Sequence, residues 1–172
     1  MPHATLEQPA FSPDSLQKIR DSIARYPEGR QKSTLLPVLH MAQAEFGGWL
    51  SVPVMDYVAS LLGLQPIEVY EVATFYTMFR LKPTGKYVLE VCRTGPCCVV
   101  GAEKITAHLK KILGIEVGET TPDGLFTILE VECLASCGTG PVLQLGERYI
   151  ENLTPERIDG LVSELRDQKA GR

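Results

Sequence analysis

The sequence predicts an α+β fold in two parts, a helical first half followed by a mixed α/β half. Three observations carry this. Apolar residues recur at helical spacing before Leu81, strand-like alternation replaces that spacing after Gly85, and the turn-rich stretch Lys82-Pro83-Thr84-Gly85 separates the two regimes. The expected domains are therefore residues 1–81, helical, and residues 82–172, α/β, with 1–11 a flexible lead. A chain of 172 residues, 44% of them apolar, can bury one core or two small ones.

The elements follow in order. Ser12-Pro13-Asp14 reads as an N-cap, a proline at the first helical position and an acidic first turn. Leu16, Ile19 and Ile23 then recur at helical spacing until Pro27. A second helix is predicted over Ser33–Phe46, with Leu35, Leu39, Ala42 and Phe46 on one stripe and Gly47-Gly48 ending it. A third follows Ser51-Val52-Pro53 and closes at Gly63. A fourth begins at Pro66 and carries Val69, Val72, Ala73 and Tyr76. Short loops join these segments, so the first half is expected to be a four-helix bundle.

Beyond the boundary, Tyr87, Leu89 and Val91 alternate with Val88 and Glu90 in a strand that runs into Cys92. Gly101–Leu113 reads as a helix with Ile105, Leu109 and Ile112 on one face. Leu125, Thr127, Leu129 and Val131 share the face of a second strand, which delivers Cys133. Val142–Leu145 and Arg148–Ile150 flank Gly146-Glu147 as a hairpin. A last helix starts at Thr154 with Pro155, burying Ile158, Leu161, Val162 and Leu165. No internal repeat or low-complexity tract interrupts this order.

Charge and composition exclude several functions. The net charge is −4 and no run of Lys or Arg exceeds two residues, so nucleic acid and anionic membranes are not expected partners. The apolar stretches are far shorter than a bilayer span. Met1–Phe11 has neither the basic start and apolar core of a secretory signal nor the arginine of a transit peptide, and it contains Glu7. Five cysteines within 46 residues, an odd count, do not describe a secreted disulfide framework. A reducing cytosol suits them better.

Four of those cysteines carry the chemistry. Cys92-x4-Cys97 and Cys133-x3-Cys137 are two close pairs separated by 35 residues. Four thiolates brought together by a fold select zinc, copper(I) or an iron–sulfur cluster over hard oxygen-loving ions. Zinc knuckles favour tighter pairs, whereas a [2Fe–2S] rhomb needs two thiolates on each of two irons and tolerates looser spacing. A Rieske centre would need two histidines beside the pairs, and His3, His40 and His108 are scattered elsewhere. Gly138-Thr139-Gly140 precedes a strand and is followed by Pro141, which is not a nucleotide-binding turn. Its glycines are expected instead to let backbone N–H groups approach sulfur. By position Pro141 is a candidate for a cis peptide.

The stretch from Val91-Cys92-Arg93-Thr94-Gly95-Pro96-Cys97 to Glu132-Cys133-Leu134-Ala135-Ser136-Cys137 resembles the thioredoxin-like [2Fe–2S] ferredoxins. Glu71-Val72-Ala73-Thr74-Phe75-Tyr76-Thr77-Met78-Phe79 resembles the helical signature of one branch, the 24-kDa-type subunits of respiratory NADH dehydrogenase. Related subunits serve NAD-linked hydrogenases and formate dehydrogenases. The resemblance covers about residues 12 to 168. It implies a thioredoxin-like second domain with one [2Fe–2S] cluster, Cys92 and Cys97 on one iron and Cys133 and Cys137 on the other. It also implies a partner flavoprotein that binds NADH and FMN, within a multisubunit complex on the cytoplasmic face of the inner membrane. A flavin passes the two electrons of a hydride on singly, and this chain would take one of them without oxidising NADH alone.

Cys98 is extra to the four-ligand pattern; spacing favours its neighbour Cys97 as the ligand, and a small core residue is the plainer role for Cys98. Phe75, Tyr76, Met78 and Phe79 are expected to serve core packing and partner contact. Two other functions stay open on the residues alone. A thiol oxidoreductase would want a C-x-x-C at a helix start, which Cys92-x4-Cys97 lacks. A zinc-stabilised interaction module would use the cysteines only to brace the fold.

Overall fold

Ser12 opens the first helix as the local chemistry requires: its hydroxyl accepts a hydrogen bond from the Ser15 N–H, and Pro13 fills the first helical position, where no N–H is needed. The computed structural model describes residues 9–170, with seven α-helices and a four-stranded sheet among them. The expected flexible lead lies mostly outside the described residues. At its end it needs correction, because Phe11 is 4% exposed and packs on Phe46 and Tyr57. Two compact units divide the chain, residues 1–83 and 84–172.

In the first unit α1 spans Pro13–Ile23, α2 Leu35–Glu45, α3 Val52–Leu62 and α4 Pro66–Phe75. Helix α1 ends four residues short of Pro27, at a turn in which the Tyr26 N–H bonds back to the Ile23 carbonyl. A 3-10 turn over Gln31–Thr34 leads into α2, and the Thr34 hydroxyl bonds the Gln31 carbonyl. Helix α3 starts on the Ser51 hydroxyl and stops at Gly63, whose φ of 62° is the left-handed conformation glycine adopts without strain. Glu68 closes a capping box on Gln65 at the head of α4. One core joins the four helices through Ile19, Val38, Leu39, Leu62 and Val69. Helix α4 breaks at Tyr76, which takes an extended conformation, so the predicted Tyr76 stripe position is off the helix. Of the aromatic run only Phe79 is core, at 4% exposure; Phe75 is 76% exposed.

In the second unit the elements are β1 Tyr87–Cys92, α5 Gly95–Val99, α6 Ala102–Leu113, β2 Phe126–Val131, β3 Leu143–Leu145, β4 Arg148–Ile150 and α7 Pro155–Ala170. The strand order is β2-β1-β3-β4. Strands β1 and β2 are parallel with Cys92 opposite Val131, β3 runs antiparallel to β1, and β3–β4 is the expected hairpin. Strand β1 is paired along both edges and covered on both faces, Glu90 included, so the simple alternation seen in its sequence carries no exposed face. On β2 both faces are buried at the start, Thr127 as well as Phe126 and Ile128, and toward the cysteine end Leu129 and Val131 are half-buried while Glu130 is exposed. The core around Leu89, Ile128, Leu143, Ile158 and Leu165 shares no residue with that of the first unit. No described helix is long and apolar enough to cross a membrane.

Candidate metal centre

Parallel pairing of β1 with β2 decides where the cysteines meet. Two adjacent strands running the same way end on the same edge of the sheet, and loops beyond that edge are held by it. Cys92 is the last residue of β1, and the Arg93 N–H continues the ladder to the Val131 carbonyl at 3.0 Å. Cys133 follows β2 by two residues. The intervening chain from Cys92 turns through Thr94 into α5, a short helix with Pro96 in its first turn, which the sequence did not predict. Cys97 sits on α5, where a step of about 100° separates successive residues.

That step parts Cys97 from Cys98. Cys97 is 1% exposed and packs with Cys92, Ala102 and Val142. Cys98 is half-buried, and its thiol turns back to donate to the Arg93 carbonyl at 3.1 Å. It lines a cavity of about 390 Å³ with Arg93, Thr94, Glu103 and Glu130. In the second pair Cys133 and Cys137 are exposed, with their sulfurs 3.6 Å apart.

Thr94 joins the two pairs. Its hydroxyl stands 3.3 Å from Cys92 Sγ and also reaches Cys133. The Leu134 N–H, from the second loop, is directed at Cys92, and the Ala135 N–H donates to Cys133 Sγ at 3.4 Å. Ala135 holds a φ of 59°, a left-handed conformation rare for alanine. The Val142 N–H serves Cys97. A Cβ on Gly140 would lie 3.2 Å from Cys97 Sγ and from Val100, whereas a Cβ on Gly138 would meet nothing within 4 Å. The Gly140–Pro141 peptide is cis.

As free thiols, each pair is split. Burial works to raise Cys92, but hydrogen bonds from the Thr94 hydroxyl and from the Thr94 and Leu134 N–H groups outweigh it and hold the thiol below its ordinary value. Burial first, then the neighbouring Cys92, pushes Cys97 up to about 11. The Ala135 N–H, then Cys137 and Thr94, hold Cys133 down, and Cys133 in turn pushes Cys137 up. Within each pair one thiol is therefore easier to ionise than the other, and a bound cation would displace the second proton. Among the described residues no three His, Cys, Asp or Glu side chains are close enough to chelate one metal ion, so the thiols stand as two two-donor units. Two soft donors per metal atom, with N–H and O–H groups turned toward sulfur, is the donor set an iron–sulfur cluster uses. These residues fit such a group.

The two described histidines take no part, and His3 lies outside the described residues. His40 lies against the Phe79 ring, and His108 Nε2 is 2.7 Å from Asp159, between α6 and α7. Sequence reasoning passed over Thr94, which stood inside the first motif, and over Glu151, which stands 14 residues beyond Cys137. The Glu151 carboxylate accepts from the Ser136 hydroxyl and, at 2.6 Å, from Thr139 Oγ1. Ser136 first and Thr139 second hold its carboxyl below the ordinary glutamate value.

Residues 19–166 match the family of thioredoxin-like [2Fe-2S] ferredoxins. A subunit of NADH-quinone oxidoreductase from Rickettsia bellii is 43% identical over 158 residues, 92% of this chain and 95% of that protein. Its counterpart from Rickettsia felis is 44% identical over 90% of this chain and 92% of its own length. The mitochondrial NADH dehydrogenase [ubiquinone] flavoprotein 2 of Dictyostelium discoideum is 40% identical, covering 92% of this chain and 64% of its own. Among solved structures, an NAD+-reducing [NiFe]-hydrogenase aligns over 78% of this chain with a TM-score of 0.68 and 22% identity. This chain spans about a quarter of that hydrogenase chain (23% of it is covered), and the likeness is one of fold.

Proposed function

Since the chain belongs to the thioredoxin-like [2Fe–2S] ferredoxin family, we propose that it is the electron-transfer subunit of an NADH:quinone oxidoreductase, holding one [2Fe–2S] cluster on Cys92, Cys97, Cys133 and Cys137. One observation carries the reading: two thiol pairs follow two parallel, adjacent strands at one edge of the sheet, in a chain whose 43%-identical relative over nearly full length is named as a subunit of that enzyme. When bound, such a cluster accepts and returns one electron at a time.

The chain's own residues supply the rest. Cys92 and Cys97 would grip one iron from the buried side, and Cys133 and Cys137 the other from the exposed side. The exposed pair leaves the outer edge of the site open to a partner. Thr94, Leu134, Ala135 and Val142 direct O–H and N–H groups at the thiolates, stabilising their negative charge. Gly140 keeps a side chain away from Cys97.

The partner on this reading is a flavoprotein subunit that binds FMN and NADH, in the peripheral arm on the cytoplasmic face of the membrane. The four helices of the first unit act as a bundle that docks on it, and exposed Phe75, Tyr76 and Met78 supply apolar contact area. A diaphorase subunit of an NAD-linked hydrogenase or formate dehydrogenase would use the same fold. The 40–44% identities favour the respiratory enzyme.

The test is analytical. The purified chain is expected to be brown and to carry two irons and two acid-labile sulfides, with an EPR signal only after dithionite reduction. Cys→Ser at any of the four positions should weaken or abolish the signal, and Cys98→Ala should leave it unchanged. NADH should reduce the cluster only when the flavoprotein is present. A colourless protein with one zinc would refute the assignment, and loss of iron in Cys98→Ala would move one ligand to Cys98.

A further inference from the structure

The two cysteine pairs are held in different ways. Cys92 and Cys97 are each 1% exposed, so packing locates them. Cys133 and Cys137 are exposed, and on their side of the site half-buried Leu134 packs against Cys92, Cys97, Ala102 and Val142. The Cys137 end of the loop is tied down by a polar clasp to the connection between β4 and α7. The Ser136 and Thr139 hydroxyls both converge on Glu151 Oε1 and stand 2.7 Å from each other. The Asn152 N–H donates to the Thr139 carbonyl at 2.7 Å, and the Leu153 N–H to the Pro141 carbonyl at 3.0 Å. Asn152 takes a left-handed φ of 48°, as Ala135 does at 59° on the facing loop. A non-glycine residue holds that conformation only where its surroundings over-determine it.

We propose that Glu151 is a positioning residue for the Cys133–Cys137 half of the cluster site, acting through Ser136 and Thr139. The inference rests on the cluster reading given above and deepens it. Ser136 lies directly before Cys137 and Thr139 two residues after it, so a carboxylate that fixes both hydroxyls fixes the backbone on either side of that ligand. A single oxygen accepts both bonds. An amide oxygen can do the same, so glutamine should preserve the position while removing the charge. Arg157, whose guanidinium also donates to the Asn152 carbonyl at 3.3 Å, is the cation nearest in effect to Glu151 and offsets part of that charge.

Three variants of the full chain distinguish positioning from general support of the fold. In Glu151→Ala, both hydroxyls lose the carboxylate oxygen that they share, and keep only each other and the Ser136 carbonyl. The reduced EPR spectrum should broaden as the loop samples several arrangements, and an iron(II) chelator should strip the cluster about tenfold faster or more. Glu151→Gln should restore the wild-type line shape and chelator rate, with the midpoint potential moved upward because a negative charge is gone. Should Glu151→Ala fail to assemble, Thr139→Val, which deletes one donor, is expected to show the same broadening in milder form. A wild-type spectrum and chelator rate in Glu151→Ala would overturn the proposal, as would a glutamine variant that loses its cluster as fast as the alanine one. A lowered melting temperature with spectrum and potential unmoved would assign Glu151 to the fold alone and overturn it as well. Wild-type protein without iron and labile sulfide would refute the cluster reading itself, and the positioning role with it; a loaded wild type with indistinguishable variants sinks only the latter.

Discussion

Thr94 places its hydroxyl within reach of a thiol of each pair, Cys92 at 3.3 Å and Cys133. A hydroxyl hydrogen bond to a ligating thiolate favours the more negative, reduced form of the site and so raises its potential. Thr94→Val keeps the volume and removes the donor. It should lower the midpoint potential of the cluster while leaving the iron content at two per chain, and Thr94→Ser should restore it. An EPR-monitored redox titration decides the matter, and equal potentials in all three proteins would exclude the hydroxyl as a tuning group. Cys98 shows the same lesson at its simplest. Sequence places it beside Cys97, but the turn of α5 carries its thiol to the Arg93 carbonyl.

At the scale of elements, caps proved readable and strand faces did not. Ser12, Ser51 and Gly63 start and stop helices through hydrogen bonds and dihedral angles that depend on a few neighbouring residues. Burial of β2 depends on what packs against each face, and Phe126, Thr127 and Ile128 are buried on both. One long-range contact between elements lends itself to a pH test. Glu45, the last residue of α2, accepts from the Ser12 N–H at 2.6 Å and from the Ser15 hydroxyl, placing a carboxylate at the positive N-terminus of α1. The Ser15 hydroxyl, the largest influence, outweighs burial and, with the Ser12 N–H, holds its carboxyl below the ordinary value of 4.5. A depressed folded-state value stabilises the fold above the ordinary one, and that stabilisation is lost as pH falls through the folded value. Glu45→Gln should therefore melt lower than wild type at pH 7, and the gap should close as pH drops below 4.5. A gap that stays constant with pH would show that the carboxylate charge contributes nothing.

For the whole molecule, each unit has a core of its own: Leu39, Val58 and Val69 in one, Leu89, Leu109 and Ile128 in the other. All five cysteines belong to the second. A fragment of residues 84–172 is expected to fold, stay soluble and bind the cluster, since a buried core and the complete donor set travel with it. It should fail to copurify with a coexpressed flavoprotein, while the full chain succeeds. A fragment that cannot be loaded would show that the first unit completes the core; equal copurification would remove docking as the reason for the helices.

Taken alone, the sequence determined what is local or chemical. Helix starts and stops were legible because capping is decided within a turn, and the hairpin at Gly146-Glu147 because two strands meet across a two-residue turn. The soft-donor character of the site was legible because thiols in close pairs leave few other roles. Only the tertiary structure decided the rest. Packing across the second unit buries Glu90 and makes both faces of β1 interior, which no period-two pattern can announce. It also brings Thr94 against Cys133, 39 residues away, and Glu151 against the loop of Cys137, through hydrogen bonds between segments with no pattern in common. Periodicity records which face of an element is apolar; it holds no record of which loops a sheet will set side by side, because that follows from strand pairing across the whole unit.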